Sequence, residues 1–172
     1  VVLSEDERWL LVVNAGSSEL SVFRVRHDGL ELTDRIQSGG IQPISVTTYK
    51  SLVCVLNAGG SRNIAGFRIS NQGVLSPLAG AVQPLSGANV SPAQVSFDPS
   101  GQVLVVTEKN TNQVLTYVVD RDGIAQPPSV FVSAGATPFG FEFGKRGQLF
   151  VSEAAGGAPG ATTTSSYQIS DD

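Results

Sequence analysis

Four polar side chains stand where apolar runs end: Asn14 after Trp9 to Val13, Asn57 after Leu52 to Leu56, Glu108 after Val103 to Thr107, and Glu153 after Leu149 to Ser152. Their spacings are 43, 51 and 45 residues, so they hold one place in a repeating unit. Two amides and two carboxylates brought together by such a repeat could line a site for a small polar molecule. Glu108 or Glu153 could act as a base toward water, and Lys109 beside Glu108 could polarise a carbonyl. Gln94 and Phe139 lie at the starts of two proline-led segments, Pro92 onward and Pro138 onward, and would stand next to that row. The competing reading gives these polar ends a humbler task, hydrogen-bonding loop backbone. Neighbouring strand residues also point to opposite faces. Glu108 and Lys109 therefore converge only if the strand has ended between them.

Positioning the row requires a repeat of strands. Downstream of each polar end comes an aromatic, one residue, then a β-branched residue: Phe23-Arg24-Val25, Phe67-Arg68-Ile69, Tyr117-Val118-Val119 and Tyr167-Gln168-Ile169. Turn pairs follow at Asp28-Gly29, Gln72-Gly73 and Asp122-Gly123, of the kind that reverses a hairpin. New units open at Pro43, Pro92 and Pro138. Each unit reads as four short antiparallel strands. The second is apolar on both faces, as in Leu52 to Leu56, and must be covered on both sides. A unit of about 47 residues built this way is a propeller blade. The expected fold is all-β, about four four-stranded antiparallel blades over 1–40, 41–90, 91–136 and 137–172, the first and last incomplete. Helix should be nearly absent.

Composition narrows the function. The chain has 172 residues, of which 41% are hydrophobic and 15% charged, with a net charge of −4 and no basic block. A nucleic-acid footprint is not expected, and no apolar run approaches the ~20 residues of a membrane helix. One cysteine, Cys54, excludes an intramolecular disulfide and a cysteine-rich metal site. The one histidine, His27, precedes a turn and reads as solvated. Asp120, Asp122, Asp171 and Asp172 lack the spacing of a calcium loop and read as hairpin tips. No metal and no cofactor is expected. Gly144-Lys145-Arg146-Gly147 lacks the residues of a phosphate loop and reads as a tight turn. The segment from Glu153 to Tyr167 is five residues longer than its equivalents and rich in Gly, Ala, Pro and Thr.

Several phrases carry a resemblance: Val12-Val13-Asn14-Ala15-Gly16-Ser17, Pro92-Ala93-Gln94-Val95, Asp98-Pro99-Ser100-Gly101, Val105-Val106-Thr107-Glu108-Lys109 and Thr137-Pro138-Phe139-Gly140-Phe141. In these the chain resembles the lactonase family of seven-bladed propellers, which includes 6-phosphogluconolactonases and carboxymuconate-lactonising enzymes. The resemblance covers the whole chain but about half of the family's ring. It implies a small polar lactone or carbohydrate-like ligand. It also implies lactone hydrolysis if activity is kept, with Glu108, Glu153 and Lys109 in catalytic roles and Gln94, Asn14, Asn57 and Phe139 binding the ligand. A secreted or periplasmic setting also follows from the resemblance alone. One departure stands out. Where catalytic members resemble Pro-His-x-x-x-x-Asp-Pro, this chain has Pro92-Ala93 followed by Asp98-Pro99, so the family's histidine falls on Ala93. The alternative is therefore a non-enzymatic binding or scaffold propeller. A half-ring would expose the faces of its end blades, so either an oligomer or the remainder of a ring is expected beside it.

Overall fold

A computed structural model describes residues 1–169. It contains fifteen strands in four antiparallel sheets and a single 3-10 turn at Ala155–Gly157. The first sheet runs in chain order β1 (Val2–Leu3), β2 (Trp9–Asn14), β3 (Glu19–Arg26) and β4 (Gly29–Gln37). The second holds β5 (Ile41–Tyr49), β6 (Leu52–Gly59), β7 (Asn63–Ile69) and β8 (Leu75–Pro84). β9 (Pro92–Phe97), β10 (Val103–Glu108), β11 (Gln113–Val118) and β12 (Ser129–Val132) form the third. The fourth has β13 (Pro138–Phe143), β14 (Gln148–Glu153) and β15 (Thr163–Gln168). These are the blades that the repeat predicts, with a two-residue inner strand in the first and three strands in the last. Asp171 and Asp172 lie outside the described residues. No helix among the described residues is long and apolar enough to cross a membrane.

The blades stack face to face, and their second strands supply both sides of each junction. In β10, Leu104 and Val106 pack with Cys54, Leu56 and Ile64 of the second blade, while Val105 packs with Phe141, Leu149 and Val151 of the fourth. Alternate residues thus serve opposite neighbours, which is why these strands read as continuous apolar runs. Between the first and second blades, Trp9, Leu11, Leu20 and Val22 meet Val53, Val55 and Phe67. Trp9 is 4% exposed and belongs to this core.

Tight turns lock the strands together. Asp98 accepts hydrogen bonds from the backbone N–H groups of Ser100, Gln102 and Val103, so one carboxylate organises the turn from β9 to β10. Gly101 closes it at φ +72°, and a Cβ there would stand 2.1 Å from the Tyr49 ring of the preceding blade. Both the backbone sign and the close approach require glycine.

Candidate functional site

The strand-end row lies in the blade junctions. Asn57, at a buried position of β6, holds the segment that enters its blade. Its Oδ1 accepts from the Ser38 hydroxyl at 2.7 Å, and its Nδ2 donates to the Ser38 carbonyl at 3.2 Å and to Asn63 Oδ1 at 2.8 Å. Gly40 of the same connection touches the Asn57 side chain, and a Cβ there would lie 2.6 Å from Cγ. Glu108 repeats the arrangement one blade on. Its carboxylate accepts from the Ser86 N–H at 3.0 Å, from the Ser86 hydroxyl, and from the Thr111 hydroxyl at 2.8 Å. Burial, and after it the nearby Glu108 charge, pushes the Tyr117 phenol upward, and that phenol donates to the Pro84 carbonyl two residues before Ser86. Glu153 is likewise 1% exposed, accepts from the Thr163 hydroxyl at 2.9 Å and presses on Gly135 of its own incoming connection. Among the described residues its second oxygen has no hydrogen-bond partner.

These three residues do not open into one axial space, which corrects the sequence expectation. The physical reason is that the connection from the preceding blade folds against each strand end, and at Asn57 and Glu108 it also engages the polar atoms of the side chain. Asn14, the equivalent residue of the first sheet, is half-buried and donates to Ser21 Oγ of its own sheet at 2.9 Å.

The space on the axis belongs to the inner strands. A cavity of about 420 Å³ is lined by β5, β9 and β13 together with Val1 and Val2, among them Ser45, Thr47, Gln94, Ser96, Phe139 and Glu142. Gln94 and Phe139 both belong to this lining, as does Ala93. The Gln94 amide is engaged on both ends: Nε2 donates to the Phe141 carbonyl at 2.8 Å and Oε1 accepts from the Phe141 N–H at 3.1 Å. Ser45 and Thr47 likewise accept from the N–H groups of Val95 and Phe97. Side chains of one inner strand thus satisfy the open edge of the next.

Phe139 and Glu142 are the exposed side chains of this lining. Phe139 is 50% exposed, and the Lys109 ammonium, itself outside the lining, lies 4.9 Å from its ring centroid. Glu142 is exposed on the same lining and uses one oxygen on the Phe143 N–H at 3.0 Å. Sequence reasoning missed Glu142. Its signal was available, because Glu142 is the fifth residue from Pro138, as Thr47 is from Pro43 and Ser96 from Pro92. Among the described residues, no group of three His, Cys, Asp or Glu side chains could hold a metal ion. A second hollow of about 290 Å³ lies at the hairpin rim beside Arg8, Trp9 and Lys50, but Arg8 is paired there with Asp6 at 3.0 Å. His27 is exposed at the outer turn, and Cys54 is enclosed between the second and third blades.

Four stacked antiparallel blades beside an axial cavity are the architecture of a β-propeller, and solved propeller structures share this fold. A Bacteroides fragilis protein with a provisional 6-phosphogluconolactonase assignment superposes with a TM-score of 0.76 at 20% identity, over 98% of this chain and 56% of that one. A Lactobacillus plantarum protein reaches 0.80 at 16% identity, over 99% and 50%. The periplasmic gluconolactonase of Pseudomonas aeruginosa reaches 0.68 at 16% identity, over 98% and 56%. The chain thus spans about half the length of the structures it matches. No family model matches the sequence, and no curated protein does. At such identities the likeness is one of fold.

Proposed function

We propose that this chain binds a small polar, carbohydrate-like lactone or the corresponding sugar acid at the axial cavity. The observation that carries this reading is the Lys109 ammonium seated over the half-exposed Phe139 ring at the cavity lining. An aromatic face suits the C–H side of a sugar ring, and the cation suits a carboxylate, a phosphate or a polarised carbonyl. The lactonase-like neighbours support the same ligand class. Binding rather than turnover is favoured by Ala93, which has no proton to exchange where the family resemblance calls for histidine.

Isothermal calorimetry with gluconate and 6-phosphogluconate, both stable in water, tests the proposal. Saturable one-to-one binding is expected, with Phe139→Ala and Lys109→Ala each weakening it about tenfold, or about 1.4 kcal/mol. No heat with either probe at millimolar concentration overturns it. A second reading, hydrolysis of the lactone, rests on Glu142 lining the same cavity as Phe139. In that reading Glu142 takes the role that the sequence suggests for Glu108 or Glu153. A base must reach the water it activates, and those two carboxylates are enclosed at blade junctions. Titration of acid release from glucono-1,5-lactone checks it: turnover above the spontaneous rate, lost in Glu142→Gln, is the expected outcome.

A further inference from the structure

The repeat places an arginine at the same point of two closed blade junctions, and the two arginines are used differently. Arg68 stands opposite Leu52 in the second sheet, and Arg24 stands opposite Trp9 in the first. Between the second and third blades, Arg68 is spent on structure. It donates to the Ser51 hydroxyl at 3.1 Å and, across the junction, to the Asp122 carbonyl at 3.0 Å. Between the first and second blades the turn glycine packs in the same way. A Cβ on Gly73 would stand 2.3 Å from the Trp9 ring, as one on Gly123 would stand 2.4 Å from Leu52. Arg24 nevertheless builds no bridge. It is half-buried, its guanidinium lies 5.1 Å from the Trp9 ring centroid, and among the described residues it has neither an ion-pair partner nor a hydrogen-bond acceptor. The indole offers a face that Leu52 does not, and the guanidinium lies against it with its donors unused.

Arg24 shares its surroundings with two more cations. Arg8, Arg24, Trp9 and Asn71 line a hollow of about 360 Å³. Arg8, Trp9 and Asn71 continue into the neighbouring hollow of about 290 Å³, where Lys50 joins them. The Arg8 guanidinium lies 5.6 Å from the centroid of the same indole. Asp6 engages only the Arg8 Nε, at 3.0 Å, and itself accepts from the Ser4 hydroxyl at 2.7 Å and the Arg8 backbone N–H at 3.2 Å. Both terminal nitrogens of Arg8 are therefore without an acceptor among the described residues. The Lys50 ammonium rests 4.9 Å from the Tyr49 ring centroid, and Glu5 is the remaining carboxylate of the lining. The hollow lies where β2 and β6 begin, at the opposite end of the blades from Asn57 and Glu108, and shares no lining residue with the axial cavity.

We propose that this rim hollow is a second binding site, one for a phosphate group, either free or carried as a monoester on a small molecule. A guanidinium presents its donors in a fixed fork that matches phosphate oxygens in pairs. Arg8 and Arg24 are two such forks against one indole, with the Lys50 ammonium beside them. Three cations outweigh the two carboxylates, Glu5 and Asp6, and Asp6 is already turned onto Arg8. A carboxylate has oxygens for one fork, whereas a tetrahedral dianion has oxygens for two. Stacking on Trp9 also orders Arg24 before a ligand arrives, so less side-chain freedom is lost on binding.

Calorimetry with inorganic phosphate at constant ionic strength, against chloride, tests the proposal on the 172-residue chain, and emission from Trp9, its single tryptophan, reports from the hollow itself. Saturable binding with a matching change in emission is expected. Arg24→Gln should weaken it at least about tenfold. Arg68→Gln, at the counterpart already spent on structure, should leave it unchanged. Lys50→Gln, on an exposed turn, should weaken it about threefold and replaces Arg24→Gln if that variant does not fold. Glu5→Gln removes an opposing charge and should tighten it. Glycerol 3-phosphate separates the two sources: tighter binding than phosphate favours a monoester, weaker binding the free ion. No saturable heat, an emission change that chloride reproduces, or phosphate binding indifferent to both Arg24→Gln and Lys50→Gln overturns the proposal. Gluconate carries no phosphate and reads the axial cavity alone. Phe139→Ala should spare phosphate binding and Arg24→Gln should spare gluconate binding, so the two proposals fail separately. Heat from 6-phosphogluconate that Arg24→Gln removes and Phe139→Ala leaves belongs to the rim.

Discussion

The row of strand ends and the row of inner strands contain similar residue types and do opposite work. Asn57 and Glu108 are buried, and every polar atom of their side chains is committed to an incoming connection or a neighbouring strand end. On the axis, Phe139 and Glu142 are exposed, and Lys109 spends its charge on an aromatic ring that faces the cavity. The lesson is that a carboxylate repeated at a fixed place in a fold is as readily a fastener as a catalyst. Enclosure and the identity of its hydrogen-bond donors decide which.

The largest expected contrast concerns Cys54, inside the junction of the second and third blades. Burial pushes its thiol up to about 12 from an ordinary 9.0. Three units leave about a thousandfold less thiolate at a given pH below that range. Alkylation of the native protein at pH 8 should be slowed at least that much, and denaturant should release it. The sign of the linked pH effect follows from the raised value. Stability from keeping this thiol neutral is complete below the ordinary thiol range and declines as pH rises toward about 12. Rapid labelling of the native chain would mean that the junction opens readily.

Asn57→Ala comes next. It strands the Ser38 hydroxyl and carbonyl together with Asn63 in a buried place, and should cost about 3 kcal/mol in urea unfolding. A loss under 1 kcal/mol would break the reading of Asn57 as a fastener. Glu108 and Glu153 sharpen the comparison within the row. Glu108→Gln sets an amide N–H₂ among donors, because Ser86 N–H, Ser86 O–H and Thr111 O–H all point at this carboxylate, and should cost about 2 kcal/mol. Glu153→Gln should change stability by less than about 1 kcal/mol, since among the described residues one Glu153 oxygen has no partner to offend. The smallest effect belongs to the axis. Phe139→Ala and Lys109→Ala should move unfolding by no more than about 0.5 kcal/mol, as surface changes do, while ligand binding is weakened. Equal destabilisation in the two rows would erase the distinction between them.

Much of this architecture was legible in the residues. Apolar runs closed by a polar residue, Asp-Gly and Gln-Gly turns and the aromatic signature are local, so four blades, their order and near absence of helix follow from reading along the chain. The site was legible only in part. Gln94 and Phe139 lie on the inner strands that their prolines open, whereas Glu108 and Glu153 read as cavity carboxylates and Glu142 went unremarked.

The chain alone determined which residues share a strand and a face, because side-chain direction is set by the backbone two residues at a time. Tertiary structure decided which polar residues face solvent. Ser38 reaches Asn57 across 19 residues and Ser86 reaches Glu108 across 22, and both contacts form only when one blade's exit crosses the next blade's strand end. Likewise, Lys109 meets Phe139 only because the third and fourth blades stack. Those meetings depend on the angle and spacing between sheets, which packing of whole faces sets and no local pattern encodes.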